Sequence, residues 1–228
     1  MAHATILTCR TRSCQHGAMT ASPGLWGGRT AAERRAERRD RLISAAREIW
    51  MEQGWAAVTM RGVCSRTSLN DRYFYEDFAD RDELLATVWD GMRDELVTQI
   101  SAIATEDPDR PPLDTLLNTI RFVIERISAE PGWAQIMLVR HVGSAVLEDR
   151  RTALIHQGTD VLITAAQPYL VDDADRVGLR IDTILGIGGF IELVNAWRAG
   201  LLDLDAAQLT DHAARIGASL ASRYLTPR

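Results

Sequence analysis

Arg72, Tyr73, Tyr75 and Glu76 put a guanidinium, two phenols and a carboxylate side by side between Asn70 and Phe78. An arginine can hold the edge of a guanine through two hydrogen bonds, and a glutamate can accept from the amino group of a cytosine. Such groups read a duplex only if a rigid element carries them into a groove. Phe74 and Phe78 supply one, because residues at i and i+4 share a helix face and can be buried together. Asn70 is a good N-cap for that helix. Asn70 to Asp77 would then be about 12 Å long at 1.5 Å per residue, which suits a major groove of similar width.

A second short helix precedes it. Thr59 can cap its start, and Met60, Val63 and Cys64 fall at i, i+3 and i+4 on one apolar face. Thr67, Ser68 and Leu69 break that pattern, with Leu69 as an apolar plug inside the bend. Two short helices joined by a tight corner are the plan of a helix-turn-helix, whose second helix enters DNA.

The whole stretch, TMRGVCSRTSLNDRYFYEDF from Thr59 to Phe78, resembles without gaps the DNA-binding motif of TetR/AcrR transcriptional regulators. Thr59, Val63, Asn70, Phe74, Tyr75 and Phe78 stand where that motif has its caps and anchors. Cys64 and Thr67 replace small alanines, Ser68 replaces the turn glycine, Leu69 replaces the turn valine, and Asp71 stands where many members carry lysine. The resemblance implies a ligand-responsive regulator, most often a repressor, that binds a palindromic operator as a homodimer. It implies Arg72 and Tyr73 at base edges, with Asn70 and Glu76 contributing. Thr59, Arg61, Tyr75 and Arg81 would hold phosphates, Arg81 standing near a lysine that commonly does so in the family.

The chain of 228 residues is 46% apolar, enough for a sizeable core. No apolar run approaches the length of a membrane span, and the start lacks a signal-peptide apolar block. Cys9, Cys14 and Cys64 make no disulfide framework, so a cytoplasmic protein is expected. All 26 basic residues are arginine; base composition of the genome explains that most simply, and every basic contact is then a guanidinium. The net charge of −5 divides into +3 for residues 1–82 and −8 for the remainder, a basic front and an acidic rear.

In chain order, residues 1–29 are polar and without period and read as a disordered tail. Met19 is an alternative start. His3, Cys9, Cys14 and His16 match no tight metal motif. Thr30 and Glu33 form a capping box that opens a helix. Arg34, Arg35, Arg38, Arg39 and Arg41 then cluster within an arc of roughly 160°. Two readings stay open: a solvated charged face, or arginines such as Arg38 and Arg41 laid along a phosphate backbone or minor groove. Leu42, Ala45, Ala46, Ile49 and Trp50 form the buried stripe, ending at Gly54. Asp80 and Glu83 box the start of a long fourth helix with Arg81 at its first position. The prolines of Thr105–Pro112 end it.

The rest reads as helices throughout. Helix five begins near Leu113, a short apolar segment runs from Trp133 to Val142, and helix seven spans about Ser144 to Gln167. Helix eight spans about Ala174 to Ala199, and Asp205 with Gln208 caps helix nine. Phe122 falls opposite Leu113, where it is an exposed aromatic or faces a second buried surface or ligand cavity. Trp133, Met137, His141 and His156 are further candidates for a pocket, although each histidine reads more readily as a partnered or surface residue. Gly186, Gly188 and Gly189 within one helix call for close approach of another helix. The resemblance makes helices eight and nine a dimerisation pair, with Ile184, Gly188, Ile191, Trp197, Ile216 and Leu220 at the interface.

The expected fold is all-α. An N-terminal three-helix head with a helix-turn-helix occupies residues 30–82, and a C-terminal regulatory and dimerisation bundle occupies 83–228. No phosphate loop, HExxH or GxSxG is present, and no enzyme, cofactor or metal site is expected. The expected partners are double-stranded DNA, a second copy and an unidentified small-molecule effector, with no membrane. The alternative is a helical small-molecule or partner-binding module that has lost operator recognition, since Asp71, Glu76 and Asp77 weaken attraction to phosphate.

Overall fold

A computed structural model describes residues 30–107 and 109–226. The expected tail, with His3, Cys9, Cys14, His16 and Met19, lies outside the described residues. The chain divides into compact units between Glu37 and Arg38. To the first belongs the opening of α1 (Ala31–Gln53), where Glu33 accepts from the Thr30 amide at 2.6 Å and Thr30 Oγ1 accepts from the Glu33 amide at 3.2 Å. That is the expected capping box.

From Arg38 onward, helices account for nearly all the regular structure. The stripe Leu42, Ala45, Ala46, Ile49 and Trp50 of α1 is buried. Gly54 stops the helix at φ 85°, a conformation in which a side chain is disfavoured. A 3-10 turn at Trp55–Ala57 leads to α2 (Met60–Thr67) and α3 (Asp71–Asp77). The long α4 (Arg81–Thr105) follows, capped by Asp80, whose carboxylate accepts from the Glu83 amide at 2.9 Å. Glu83 reaches back one residue further than a standard box, accepting from the Ala79 amide at 2.6 Å.

Pro112 opens α5 (Pro112–Ala129), where a missing N–H costs nothing. Then come α6 (Pro131–Met137), α7 (Ala145–Ala166), α8 (Arg176–Arg198) and α9 (Ala206–Ala221). The Asp205–Gln208 capping box of α9 forms as the sequence predicts. In contrast, α6 stops five residues short of Val142, which is 75% exposed. Gly143 at φ 99° turns the chain there, so the segment is inside only as far as Leu138 and again at His141.

One apolar cluster runs from Leu42 of α1 to Ala213 of α9. It includes three fully buried tryptophans, Trp50, Trp89 and Trp133. Helix pairs α5 with α9 and α7 with α8 enclose its far end. Among the described residues no helix is long and apolar enough to cross a membrane.

Candidate nucleic-acid interface

The corner between α2 and α3 is built from local hydrogen bonds. Thr59 Oγ1 accepts from the Gly62 amide at 3.1 Å and starts α2. Val63 and Cys64 are buried beneath it. Burial, followed by the nearby Asp71 carboxylate, pushes the Cys64 thiol up and keeps it protonated. At the far end Ser68 adopts the left-handed conformation, φ 55° and ψ 34°, and the Leu69 amide closes onto Cys64 O at 3.0 Å. The position the family gives to glycine therefore keeps its geometry with serine in it. A serine there carries a Cβ penalty of about 1 kcal/mol. Ser68→Gly is accordingly expected to raise stability by about 1 kcal/mol, read as a higher denaturant midpoint with unchanged slope.

Asn70 Oδ1 accepts from the Arg72 amide at 3.0 Å and starts α3. Asp71 follows in the first turn, where its negative charge suits the helix dipole. Phe74 and Phe78 are buried, 5.7 Å apart between ring centroids, and hold α3 against the core. The opposite side is open. The Arg72 side chain is 83% exposed and Tyr75 is 59% exposed, with Tyr73 beside them at the margin of exposure. Arg72 Nε lies 3.0 Å from Glu76 Oε1, so two of the expected base-reading groups are joined on the surface of the helix. Thr59 and Arg61 are exposed at the start of α2.

Three arginines depart from the expected phosphate contacts. Arg81 turns inward: its Nε donates to Val58 O, its Nη2 donates to Trp55 O at 2.6 Å, and its guanidinium lies 5.0 Å from the Trp55 ring centre. Arg41 donates through Nη2 to Thr67 O, the last carbonyl of α2. Arg38 stacks on Tyr73 at 4.6 Å and stands 3.8 Å from Glu76. Arg39 lies similarly over Phe78. The guanidiniums of Arg38, Arg39 and Arg41 of α1 thus cover the corner and the base of α3.

The body holds a cavity of about 750 Å³. Trp133 and Met137 stand on its wall, as expected, and Phe122, His141 and His156 do not. Phe122 is half-buried and packs on the main core, because α5 is covered on more than one side. His141 is fully buried in edge contact with Trp50, 5.3 Å between ring centres. Burial pushes its imidazole below the ordinary range, against the pull of Glu148. His156 is exposed.

Of the expected interface residues, Ile191 is buried within the chain, and Trp197 donates Nε1 to Leu204 O at 2.7 Å. Intrachain packing uses both of them. Ile184 and Gly188 are half-buried, Leu220 faces Gly186, and Ile216 is exposed. A Cβ on Gly186 would meet Leu220 at 3.4 Å, whereas one on Gly188 or Gly189 would meet nothing within 4 Å. Only the first glycine is explained by a helix of the same chain. Val177, Ile181 and Leu185, which the sequence places among the apolar residues of α8, form an exposed row at i, i+4 and i+8. Sequence reasoning missed Arg151, on the cavity wall.

A capped helix pair with its second member held on two phenylalanines and its polar side open defines a helix-turn-helix DNA-binding protein with a helical body. Residues 42–88 match the family described as bacterial regulatory proteins, tetR family. That match covers the helix-turn-helix and the start of α4, so this part of the chain is similar to the DNA-binding region of tetR-type regulators. A search of curated protein sequences finds no match. Solved structures share the fold. One is a transcriptional regulator from Rhodococcus sp. RHA1, with TM-score 0.67 and 16% identity, covering 83% of this chain and 99% of that one. Another is SmeT, the repressor of the Stenotrophomonas maltophilia multidrug efflux pump SmeDEF (TM-score 0.64, 15% identity, 82% and 90% covered). A third is FadR from Bacillus subtilis in complex with stearoyl-CoA (TM-score 0.62, 14% identity, 79% and 97% covered).

Proposed function

We propose that the protein is a ligand-responsive repressor that binds a palindromic operator as a homodimer. Its head, residues 30–82, reads DNA and its body, 83–228, pairs two copies and binds an effector. The observation that carries this reading is the exposed side of α3, where Arg72, Tyr73 and Tyr75 project from a helix anchored by Phe74 and Phe78. In this reading Arg72 and Tyr73 contact bases, with Asn70 and Glu76 beside them. Thr59, Arg61 and Tyr75 contact phosphates. Arg38, Arg41 and Arg81 hold the head together instead.

The exposed row of α8, with Gly188, Gly189 and Ile216 of α9, is the surface offered to a second copy. Its spacing keeps apolar groups on one face, which water would otherwise cover at a cost. Two-fold pairing then presents two copies of α3 and favours a palindromic site. The named relatives by fold, an efflux-pump repressor and a stearoyl-CoA-bound FadR, support repression relieved by a small molecule.

The test is footprinting of the promoter beside the protein's own gene, with sedimentation to weigh the complex. Protection of two half-sites about one or more helical turns apart by two copies is expected. Arg72→Ala should cost about 1–3 kcal/mol of operator affinity and relax the preference at one base in each half-site. Affinity indifferent to sequence and to salt would replace this reading with a ligand- or partner-binding module.

A further inference from the structure

We propose that the body cavity takes a long-chain monocarboxylic acid, with its chain along the aliphatic walls and its carboxylate on Arg151. This rests on reading the body as the effector-binding half. The cavity, about 750 Å³, is of a size that ligand sites commonly have. Leu116, Ile120, Leu154, Leu162, Ile187 and Phe190 are typical of its walls. They offer an acyl chain burial and offer a polar molecule almost nothing.

Two charged residues stand on the wall, Arg151 and Asp182, and they differ in what they lack. Asp182 is satisfied: it accepts from the Tyr224 hydroxyl at 2.7 Å and from Arg223 at 3.2 Å. Arg151 is not. Its side chain is 15% exposed, and its Nε is buried with no hydrogen-bond partner among the described residues. Its ion pair with Glu192 is long, 3.7 Å, and the Glu192 side chain is 67% exposed. Glu148, the other acid whose charge Arg151 feels, is engaged by Arg140 at 3.1 Å and by the His141 amide.

A largely buried guanidinium with donors to spare is costly unless an acceptor of opposite charge meets it. A carboxylate matches the guanidinium fork with two parallel hydrogen bonds. The loose tie to Glu192 lets the side chain turn to make them. A cationic ligand would find Asp182 already taken and Arg151 repelling it. A head with two negative charges would bring one more than the wall can pair. The wall chemistry therefore selects one negative charge at the end of an apolar body.

The experiment uses the full chain with hexadecanoic acid, its methyl ester and its coenzyme A thioester, read by tryptophan emission, since Trp133 is on the wall. The acid should bind, and the ester should bind more weakly. Arg151→Gln should weaken the acid on the order of 10- to 100-fold and leave the ester unchanged. Thermal unfolding without ligand checks that the variant is folded. Gly158→Leu keeps Arg151 but fills the cavity from α7, where a Cβ meets only Ile187 at 3.6 Å, and should abolish binding of acid and ester alike. Equal binding of acid and ester, tighter binding of the thioester, or an Arg151→Gln variant that holds the acid normally would overturn the proposal. So would the failure of all three to bind. Acid that binds through Arg151 yet leaves operator affinity unchanged would keep the site and sink the effector reading instead.

Discussion

Phe74→Ala is expected to cost about 3–5 kcal/mol and to abolish sequence-specific DNA binding with it. Phe74 is fully buried, stacks 5.7 Å from Phe78 and meets Tyr75 edge-on at 5.5 Å. The helix it anchors spans Asp71–Asp77, about two turns, too short to persist on its own propensity. Its order comes from the Asn70 cap and from the two phenylalanines. Removing one ring leaves a void that the flanking helices cannot close, since their own stripes are packed against the same core. A denaturant midpoint would report the loss of stability, and footprinting the loss of binding. Tyr75→Ala is the control. Its ring is mostly exposed, so stability should stay close to that of the parent while affinity falls. If Phe74→Ala kept both stability and the footprint, α3 would not be the reading element.

The helix starts were legible because capping is decided within four residues. Thr30 with Glu33, Thr59, Asn70, Asp80 and Asp205 with Gln208 each cap as their side chains predict. The left-handed Ser68 was also implied by its place in the motif, even though serine reaches that region less readily than glycine. What failed was whatever depended on a neighbour distant in sequence. Phe122 and Trp133 are both aromatic candidates for the cavity, yet only the second reaches it, because the sides of α5 that are covered follow from tertiary packing. His141 looked available for a ligand and is instead enclosed against Trp50 of α1. Period also separates poorly the apolar residues that pack within a chain from those offered to another. Ile191 and Leu185 both sit on the apolar side of α8, and one is buried while the other is 62% exposed.

Arginine shows the same limit most clearly. Arg38, Arg41, Arg72 and Arg81 look alike in sequence, and a guanidinium serves a phosphate and a backbone carbonyl with the same donors. Which of the two it meets depends on where carbonyls are left without partners. Val58, just after the 3-10 turn, and Thr67, at the end of α2, present carbonyls of that kind inside the head, and Arg81 and Arg41 answer them. Arg72 stands on the open side of α3, with Glu76 as its partner.

Arg81→Ala is therefore expected to cost about 2–4 kcal/mol of stability and to leave the salt dependence of DNA binding as it was. The guanidinium joins the first turn of α4 to Val58 O and Trp55 O and lies across the Trp55 ring. Val58 is fully buried, so alanine would leave its carbonyl without that donor where water does not reach easily. Arg81→Lys should restore little, since one ammonium on a flexible stem cannot span both carbonyls and cover the ring. A phosphate clamp would behave in the opposite way: unchanged unfolding, with a slope of log affinity against log salt shallower by about one. Unfolding by denaturant and a salt titration on the same variant decide between the two. A shallower slope with an unmoved midpoint would return Arg81 to the DNA.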